Sequence, residues 1–231
     1  MANHIKQPII LDFFGLPGCG KSTVSHQLAE MLRKKGYKVY EPSYDTDHCL
    51  SSRKRKLSKM VCFLAYAVAH PIKTIELIHQ ICSAGNDAIS AIGLAMIVVV
   101  RTQEINKHDS GIIILDQGVV QLAISICQKS FSTLNLSKTM EMVLSFILPQ
   151  KNIHKIYIEV GVDTALKRSE QRGTTVSRMD REKDTIKKRK IMEYYANASY
   201  QFLDQATVVI DGEELVQLEL DHLLHYMEEQ T

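Results

Sequence analysis

The residues with the clearest chemistry form a glycine-rich loop near the N-terminus, followed at once by a lysine and two hydroxyl side chains. The stretch reads Gly15-Leu16-Pro17-Gly18-Cys19-Gly20-Lys21-Ser22, with Thr23 behind it. It fits the pattern G-x-x-x-x-G-K-[ST], in which glycines let main-chain N–H groups turn inward around a polyphosphate. Lys21 would reach the β- and γ-phosphates, and the hydroxyl of Ser22 would hold Mg²⁺. We therefore predict that residues 15–23, called here the phosphate loop, bind a triphosphate.

The sequence on both sides of the phosphate loop supports this prediction. Apolar residues from Ile9 to Phe14 predict a strand just before the loop, and an amphipathic helical pattern begins at Lys21. The N-terminus of that helix would direct its positive dipole at the same anion. Cys19 has two interpretations: a thiol in such a loop can be reactive, but we favour a small residue that fills a variable position.

A second candidate for chemistry is Asp116, which follows the apolar run of residues 111–115. The run predicts a fully buried parallel strand with a carboxylate at its tip, the form of a Walker B element. Asp116 would bind Mg²⁺, directly or through water, or accept the proton of an attacking hydroxyl. An aspartate at a strand end also caps helices, but the loop upstream favours the functional role. Gln121 lies on the first turn of the next predicted helix, near the same edge.

Three positions are candidates for contacting a phosphate acceptor: Asp45, Arg101 and Gln121. Asp45 and Asp47 lie in a polar loop after the second predicted strand, at the sheet edge where ligands bind in open α/β sheets. Simple turn chemistry explains these aspartates equally well. Arg101 ends an apolar run and needs an anionic partner or water. A substrate contact and a structural ion pair both satisfy that need.

A cluster of arginines follows the fourth predicted strand. Arg168 and Arg172 share one helix face, and Arg178 lies in the polar link beyond them. Arginines around a mobile loop can close on a transferring phosphoryl group, neutralise its charge and exclude water. We predict a lid over residues 172–182, with catalytic roles for these three arginines, Lys21 and Asp116.

Length, charge and cysteine content limit the number of domains, the classes of partner and the cellular location that we expect. A chain of 231 residues with a formal net charge of +2 predicts one soluble domain and does not by itself indicate a nucleic-acid or membrane partner. The basic run Arg53-Lys54-Arg55-Lys56 could bind nucleic acid, but we favour a solvated helix start. Five scattered cysteines without a C-x-x-C pair, and a short polar start, predict a cytoplasmic protein. Residues 57–107 show a helical pattern throughout and predict an insertion that walls the acceptor side, with the apolar run Ala88–Val100 as a buried helix.

The order of these motifs resembles the P-loop kinase superfamily, nearest to the thymidylate kinase group. The resemblance spans most of the chain and depends on the phosphate loop, Glu41-Pro42, Ile156-Tyr157-Ile158-Glu159-Val160, Arg172-Gly173 and Val208-Val209-Ile210-Asp211-Gly212. It implies a three-layer α/β P-loop NTPase fold, with a five-stranded parallel sheet in the order 2-3-1-4-5. It also implies ATP and Mg²⁺, and a lid between the fourth strand and the penultimate helix. With the chain length and the helical pattern, we predict a single domain over residues 1–231 that contains the helical insertion and the lid.

The chain departs from that group at two places. The group usually carries Asp-Arg at the tip of the third strand, where this chain has Asp116-Gln117, and Gly-Gly-Thr after Glu-Pro, where this chain has Ser43-Tyr44-Asp45. Without an arginine at position 117, the acceptor could lack a phosphate. The sequence predicts a Mg-ATP-dependent phosphotransferase acting on a nucleotide, nucleoside or other small hydroxyl compound, with a homodimer as an open expectation. The alternative is a regulatory nucleotide-binding NTPase without a small-molecule acceptor.

Overall fold

Five parallel strands form one sheet at the centre of the chain. In the computed structural model they are β1 Ile9–Gly15, β2 Val39–Tyr40, β3 Ile112–Leu115, β4 Asn152–Glu159 and β5 Val208–Asp211. Their order across the sheet is β2-β3-β1-β4-β5, which confirms the predicted order and the predicted fold class. The structure describes residues 5, 7–44, 52–149, 151–171, 182, 184–213 and 216–230.

Helices cover both faces of this sheet. Within the described residues they are α1 Lys21–Lys34, α2 Ser52–Ala69, α3 Pro71–Ser83, α4 Ala88–Asn106, α5 Val119–Cys127, α6 Leu136–Leu144, α7 Val162–Gln171, α8 Thr185–Tyr200 and α9 Val216–Gln230. Several of their starts have a local cause. Pro71 occupies the first turn of α3, and Asp87 caps α4 by accepting a hydrogen bond from the N–H of Ser90.

The central strand β1 is buried on both faces, as a strand in a parallel sheet must be. Ile10 and Phe14 belong to one hydrophobic core, which packs against α4, α5, α6 and α8. Leu11 and Phe13 belong to the other core, which packs against α1 and α9. Asp12 is the one charged side chain in the strand, and it is also fully buried. The position of this carboxylate matters for the site described below.

Three helices, α2, α3 and α4, lie between β2 and β3, over the residues whose pattern is helical. Helix α2 begins at Ser52 and includes the basic run of residues 53–56, in agreement with the helix start favoured for that run. Helix α4 is long and apolar enough to pass a test for a membrane span, but Ala95, Val98 and Val99 are fully buried in the core. These positions confirm the predicted buried helix. The single-domain assignment, with its insertion and lid, stays a prediction.

Candidate functional site

The phosphate loop turns tightly between β1 and α1. Gly18 has a φ of +93°, in the left-handed region that favours glycine, and a Cβ there would lie 2.7 Å from the carbonyl oxygen of Ala165. The loop therefore packs directly against the backbone of α7. This contact fixes the loop against a second helix, and only glycine fits the approach.

Lys21 lies inside the loop that it follows. Its ammonium donates hydrogen bonds to the carbonyl oxygens of Gly15 (3.0 Å) and Leu16 (2.7 Å), and it lies 3.4 Å from the sulfur of Cys19. Only 8% of Lys21 is exposed, and Cys19 is buried. The positive charge is thus held where the loop would surround an anion, and the Cys19 thiol belongs to the wall of the loop.

The hydroxyl of Ser22 joins the loop to the tip of the neighbouring strand. Ser22 Oγ donates to Asp116 Oδ2 at 2.9 Å, 94 positions away in sequence. The two groups meet because β1 pairs directly with β3, so the carboxyl ends of both strands reach the same sheet edge. The pairing of strands thereby assembles the two motifs that the sequence indicated separately.

These two side chains fit a magnesium ion. Asp116 Oδ1 is buried and has no hydrogen-bond partner among the described residues, so a carboxylate oxygen beside the serine hydroxyl is free to bind a cation. Mg²⁺ in phosphoryl-transfer sites takes oxygen ligands, usually one or two carboxylates together with substrate phosphates. Within the described ranges, no group of three or more His, Cys, Asp or Glu side chains could hold a metal by itself.

Asp12 is a residue beside the site that the sequence analysis did not single out. Its Oδ2 accepts the N–H groups of Val119 (3.0 Å) and Val120 (3.1 Å), and so it caps the start of α5 from the adjacent strand. A Cβ at Gly118 would lie 2.0 Å from Asp12 Oδ1, so only glycine allows this approach. The cap fixes the backbone three residues after Asp116. The sequence feature that could have drawn attention to Asp12 is that it is the one charged residue in an otherwise apolar strand.

Burial raises the pKa of Asp12 to about 7, although the two backbone hydrogen bonds and the charges of Lys155 and Arg101 oppose the rise. Removing a carboxylate from water disfavours its charged form, and here that cost exceeds the gain from its partners. The folded protein therefore holds a proton on Asp12 over a pH range in which the unfolded chain does not.

A cleft adjoins Ser22 and Asp116 and consists of two cavities that share Asp116 and Ser43. The larger, of about 420 Å³, is lined among others by Ser22, His26, Glu41, Tyr44 and Asp116. The smaller, of about 130 Å³, is lined among others by Lys59, Arg101, Glu104, Asp116 and Gln117. The cleft thus begins at the tip of β3 and extends below the helical insertion, where an acceptor was predicted.

The structure places some of the predicted residues at this cleft and others beside it. Arg101 lines the smaller cavity and is paired with Glu104 at 3.2 Å, as the interpretation of a structural ion pair expects, while its contact with an acceptor stays a prediction. Gln121 lies behind the loop instead, where its side-chain oxygen accepts the N–H of Gly15 at 3.4 Å. Its role in acceptor binding stays a prediction.

The predicted lid is described only in part. Arg168 is half-buried on α7, three residues after Ala165 and so close to the face that contacts the loop. Asp45, Arg172 and Arg178 lie outside the described residues, as does the lid apart from Glu182. Their assignments stay predictions.

Comparison with known proteins gives a likeness of shape only. No protein-family model matches the chain, and no curated protein sequence matches it. Three structures of deoxyadenosine kinase from M. mycoides align with it at a TM-score of 0.51, with dCMP and a flexible dCDP, with dCTP, and with dATP bound. The first of these is 16% identical, and the alignment covers 96% of this chain and 100% of that one. The chain therefore has a P-loop nucleoside kinase-like fold.

The raised pKa of Asp12 gives a prediction for stability. Stability from the neutral carboxyl is fully present below its unfolded pKa near 3.8 and is lost as the pH rises through about 7. The loss amounts to about 4 kcal/mol at most, from roughly three pKa units at 1.4 kcal/mol each. We expect Asp12→Asn to remove this decline, because the amide oxygen can still accept the two N–H groups without carrying charge.

The measurement is urea denaturation of both proteins at intervals from pH 4.5 to 8. The difference in unfolding free energy should move in favour of Asp12→Asn as the pH rises. Profiles that run parallel across this range would show that Asp12 is already ionised in the folded state.

Proposed function

We propose that this protein is a Mg-ATP-dependent phosphotransferase of the nucleoside kinase type, which transfers the γ-phosphoryl group of ATP to a small hydroxyl acceptor. The observation that carries the proposal is the 2.9 Å contact between Ser22 and Asp116 at the mouth of a cleft. It joins a phosphate loop to a Walker B carboxylate with one free oxygen. A regulatory switch shares this contact but has no need of the cleft beside it.

The proposal assigns a role to the phosphate loop, to Ser22 and Asp116, and to the lid arginines. The loop amides and Lys21 bind the β- and γ-phosphates, and the dipole of α1 adds to their positive potential. Ser22 and Asp116 hold Mg²⁺, which when bound neutralises charge on the phosphates. Arg168 lies near the loop and would supply lid charge together with Arg172 and Arg178.

The acceptor is a nucleoside or a nucleoside monophosphate. The deoxyadenosine kinases of similar shape bind deoxynucleotides, and the cleft offers polar side chains suited to a sugar and a base. Position 117 is glutamine, which makes a neutral nucleoside the first candidate. Lys59 and Arg101 line the smaller cavity and are the cations available if the acceptor carries a phosphate.

The proposal predicts ADP release that depends on an acceptor. Purified protein with Mg-ATP is screened against the common nucleosides, deoxynucleosides and their monophosphates, and ADP is measured by a coupled assay. At least one compound should raise ADP release tenfold or more above the rate without an acceptor. Release that no compound stimulates would favour the regulatory NTPase instead.

Substitution of Lys21 tests the donor site. Lys21→Ala should lower the rate of transfer by about 10²–10⁴-fold, because a charge that stabilises the transferring phosphoryl group is lost. Lys34→Ala is the matched control, since Lys34 is an exposed lysine at the other end of α1. Near-normal turnover of Lys21→Ala would contradict the assignment.

We also propose that the protein is a homodimer. Five exposed apolar side chains form a stripe along α2, namely Leu57, Met60, Val61, Leu64 and Val68, and two more, Ile72 and Ile75, lie at the start of α3, which is bent by 116° from α2. Their spacing on α2 places them on one helix face. A second copy would cover both stripes about a two-fold axis.

Light scattering after size-exclusion chromatography tests the dimer. Leu64→Glu should convert the protein to a monomer at micromolar concentration, because the interface would bury an unpaired charge. Ile89→Glu is the control, since Ile89 on α4 is 85% exposed and lies outside the stripe. A wild-type protein that is monomeric at 50 μM, or a dimeric Leu64→Glu variant, would refute the proposal.

A further inference from the structure

Asp12 holds both ends of the turn that carries Asp116. In the pairing of β1 with β3, Asp12 lies opposite Leu115, the residue before Asp116. Its side chain reaches the far end of the turn, where Oδ2 accepts the N–H groups of Val119 and Val120 at 3.0 and 3.1 Å. The turn between these two points is therefore fixed at both ends by one residue of β1.

Helix α5 depends on this cap from another strand. Its N-cap residue is Gly118, which has no side chain to accept a hydrogen bond, and its first turn contains no acidic residue. The first N–H groups of a helix have no partner within the helix. A Cβ at position 118 would lie 2.0 Å from Asp12 Oδ1, so the two residues can approach this closely only with glycine there. The start of α5 is thus attached to β1.

The same strand carries the phosphate loop. Gly15 ends β1 three residues after Asp12, and its N–H donates to the side-chain oxygen of Gln121 at 3.4 Å. Gln121 lies on the first turn of α5. The start of this helix therefore contacts β1 at two places, one in the strand and one at the first residue of the loop. A displacement of α5 would move the Asp116 turn relative to the loop.

The cost of burying Asp12 points to a role besides stability. Asp12 is fully buried, and its Oδ1 has no hydrogen-bond partner among the residues that the structure describes. A buried polar atom without a partner is costly and calls for an explanation. A serine or asparagine at the N-cap would cap α5 without a buried carboxylate. A local cap of that kind would not attach α5 to the strand that carries the loop.

A magnesium site needs such an attachment. Mg²⁺ takes its oxygen ligands in a nearly ideal octahedron. Ser22 follows β1 through the loop and Asp116 follows β3, so the two ligands come from separate strands. Residues that orient the ligands of a metal commonly change its affinity by about 10–100-fold when they are replaced. A loose Asp116 turn would therefore weaken the metal without removing either ligand.

We propose that Asp12 is a positioning residue for magnesium, which holds Asp116 against the phosphate loop so that Asp116 and Ser22 can share one cation with the nucleotide. The inference rests on the proposed function for the identity of the metal nucleotide. It adds a residue that touches neither the metal nor the nucleotide. Asp12 affects the part of nucleotide binding that depends on the metal, while the loop alone provides the rest.

The test compares the affinity for Mg-ATP with the affinity for ATP in excess EDTA, both measured by isothermal titration. The ratio of the two affinities gives the contribution of the metal. In Asp12→Ala this ratio should fall below a third of the wild-type value, because the turn is released at one end. The affinity for ATP in EDTA should stay within threefold of wild type, because the loop is intact. Asp12→Asn should keep the ratio within twofold, since its amide oxygen still accepts both N–H groups.

Asp87→Ala is the matched control. Asp87 also caps a helix, since it accepts the N–H of Ser90 at the start of α4. This variant should lower the thermal stability and leave the ratio within twofold of wild type. Gly118→Ala tests the attachment with Asp12 retained, because the added Cβ must push Asp12 and α5 apart. Its ratio should fall as in Asp12→Ala, and it takes the place of Asp12→Ala if that variant does not fold.

Three results would overturn the inference. They are a folded Asp12→Ala, or Gly118→Ala in its place, that keeps more than a third of the wild-type ratio, an Asp12→Asn that does not keep the ratio, and a loss of affinity that is equal with and without the metal. A wild-type ratio below three would overturn this inference together with the proposed magnesium site. A wild-type protein that shows the ratio but phosphorylates no acceptor would overturn the kinase reaction alone, and the Asp12 variants would still decide this inference.

Discussion

The pairing of β1 with β3 is the constraint on which the rest of the structure depends. It is parallel, so the phosphate loop that ends β1 and the aspartate that ends β3 must arrive at the same edge. The 2.9 Å contact between Ser22 and Asp116 is the result of this register, and a shift of β3 by one residue would turn Asp116 to the opposite face.

Asp12 helps to fix the sheet edge at which the phosphate loop and Asp116 meet. A carboxylate in the middle of the central strand is costly, because burial opposes its charge. Its two hydrogen bonds cap α5 and so fix the turn that carries Asp116 and Gln117. The buried Asp12 carboxylate therefore lowers the stability of the folded state when it is ionised. In exchange, Asp116 and the phosphate loop are held in a fixed relation to each other.

The phosphate loop and the position of Asp116 at a strand tip could be predicted because each rests on a local sequence pattern, whereas the order of the strands followed from the resemblance to P-loop kinases. Apolar runs that end in glycine or aspartate are typical of buried parallel strands. The phosphate loop is recognised by the fixed spacing of its glycines and its lysine. Contacts between residues that are distant in sequence could not be predicted from such local patterns. The capping role of Asp12 depends on how β1, β3 and α5 pack. The same is true of Gln121, whose place behind the loop is set by the packing of α5 against β1.

The central claim is that main-chain amides and one lysine bind the phosphates of a magnesium nucleotide at the sheet edge. Isothermal titration of the wild-type protein with Mg-ATP tests it most directly, with a second titration of ATP in excess EDTA. The account predicts saturable binding at one site per chain, and an affinity at least tenfold weaker without the metal. A protein that gives no heat and gains no thermal stability at millimolar Mg-ATP would contradict it.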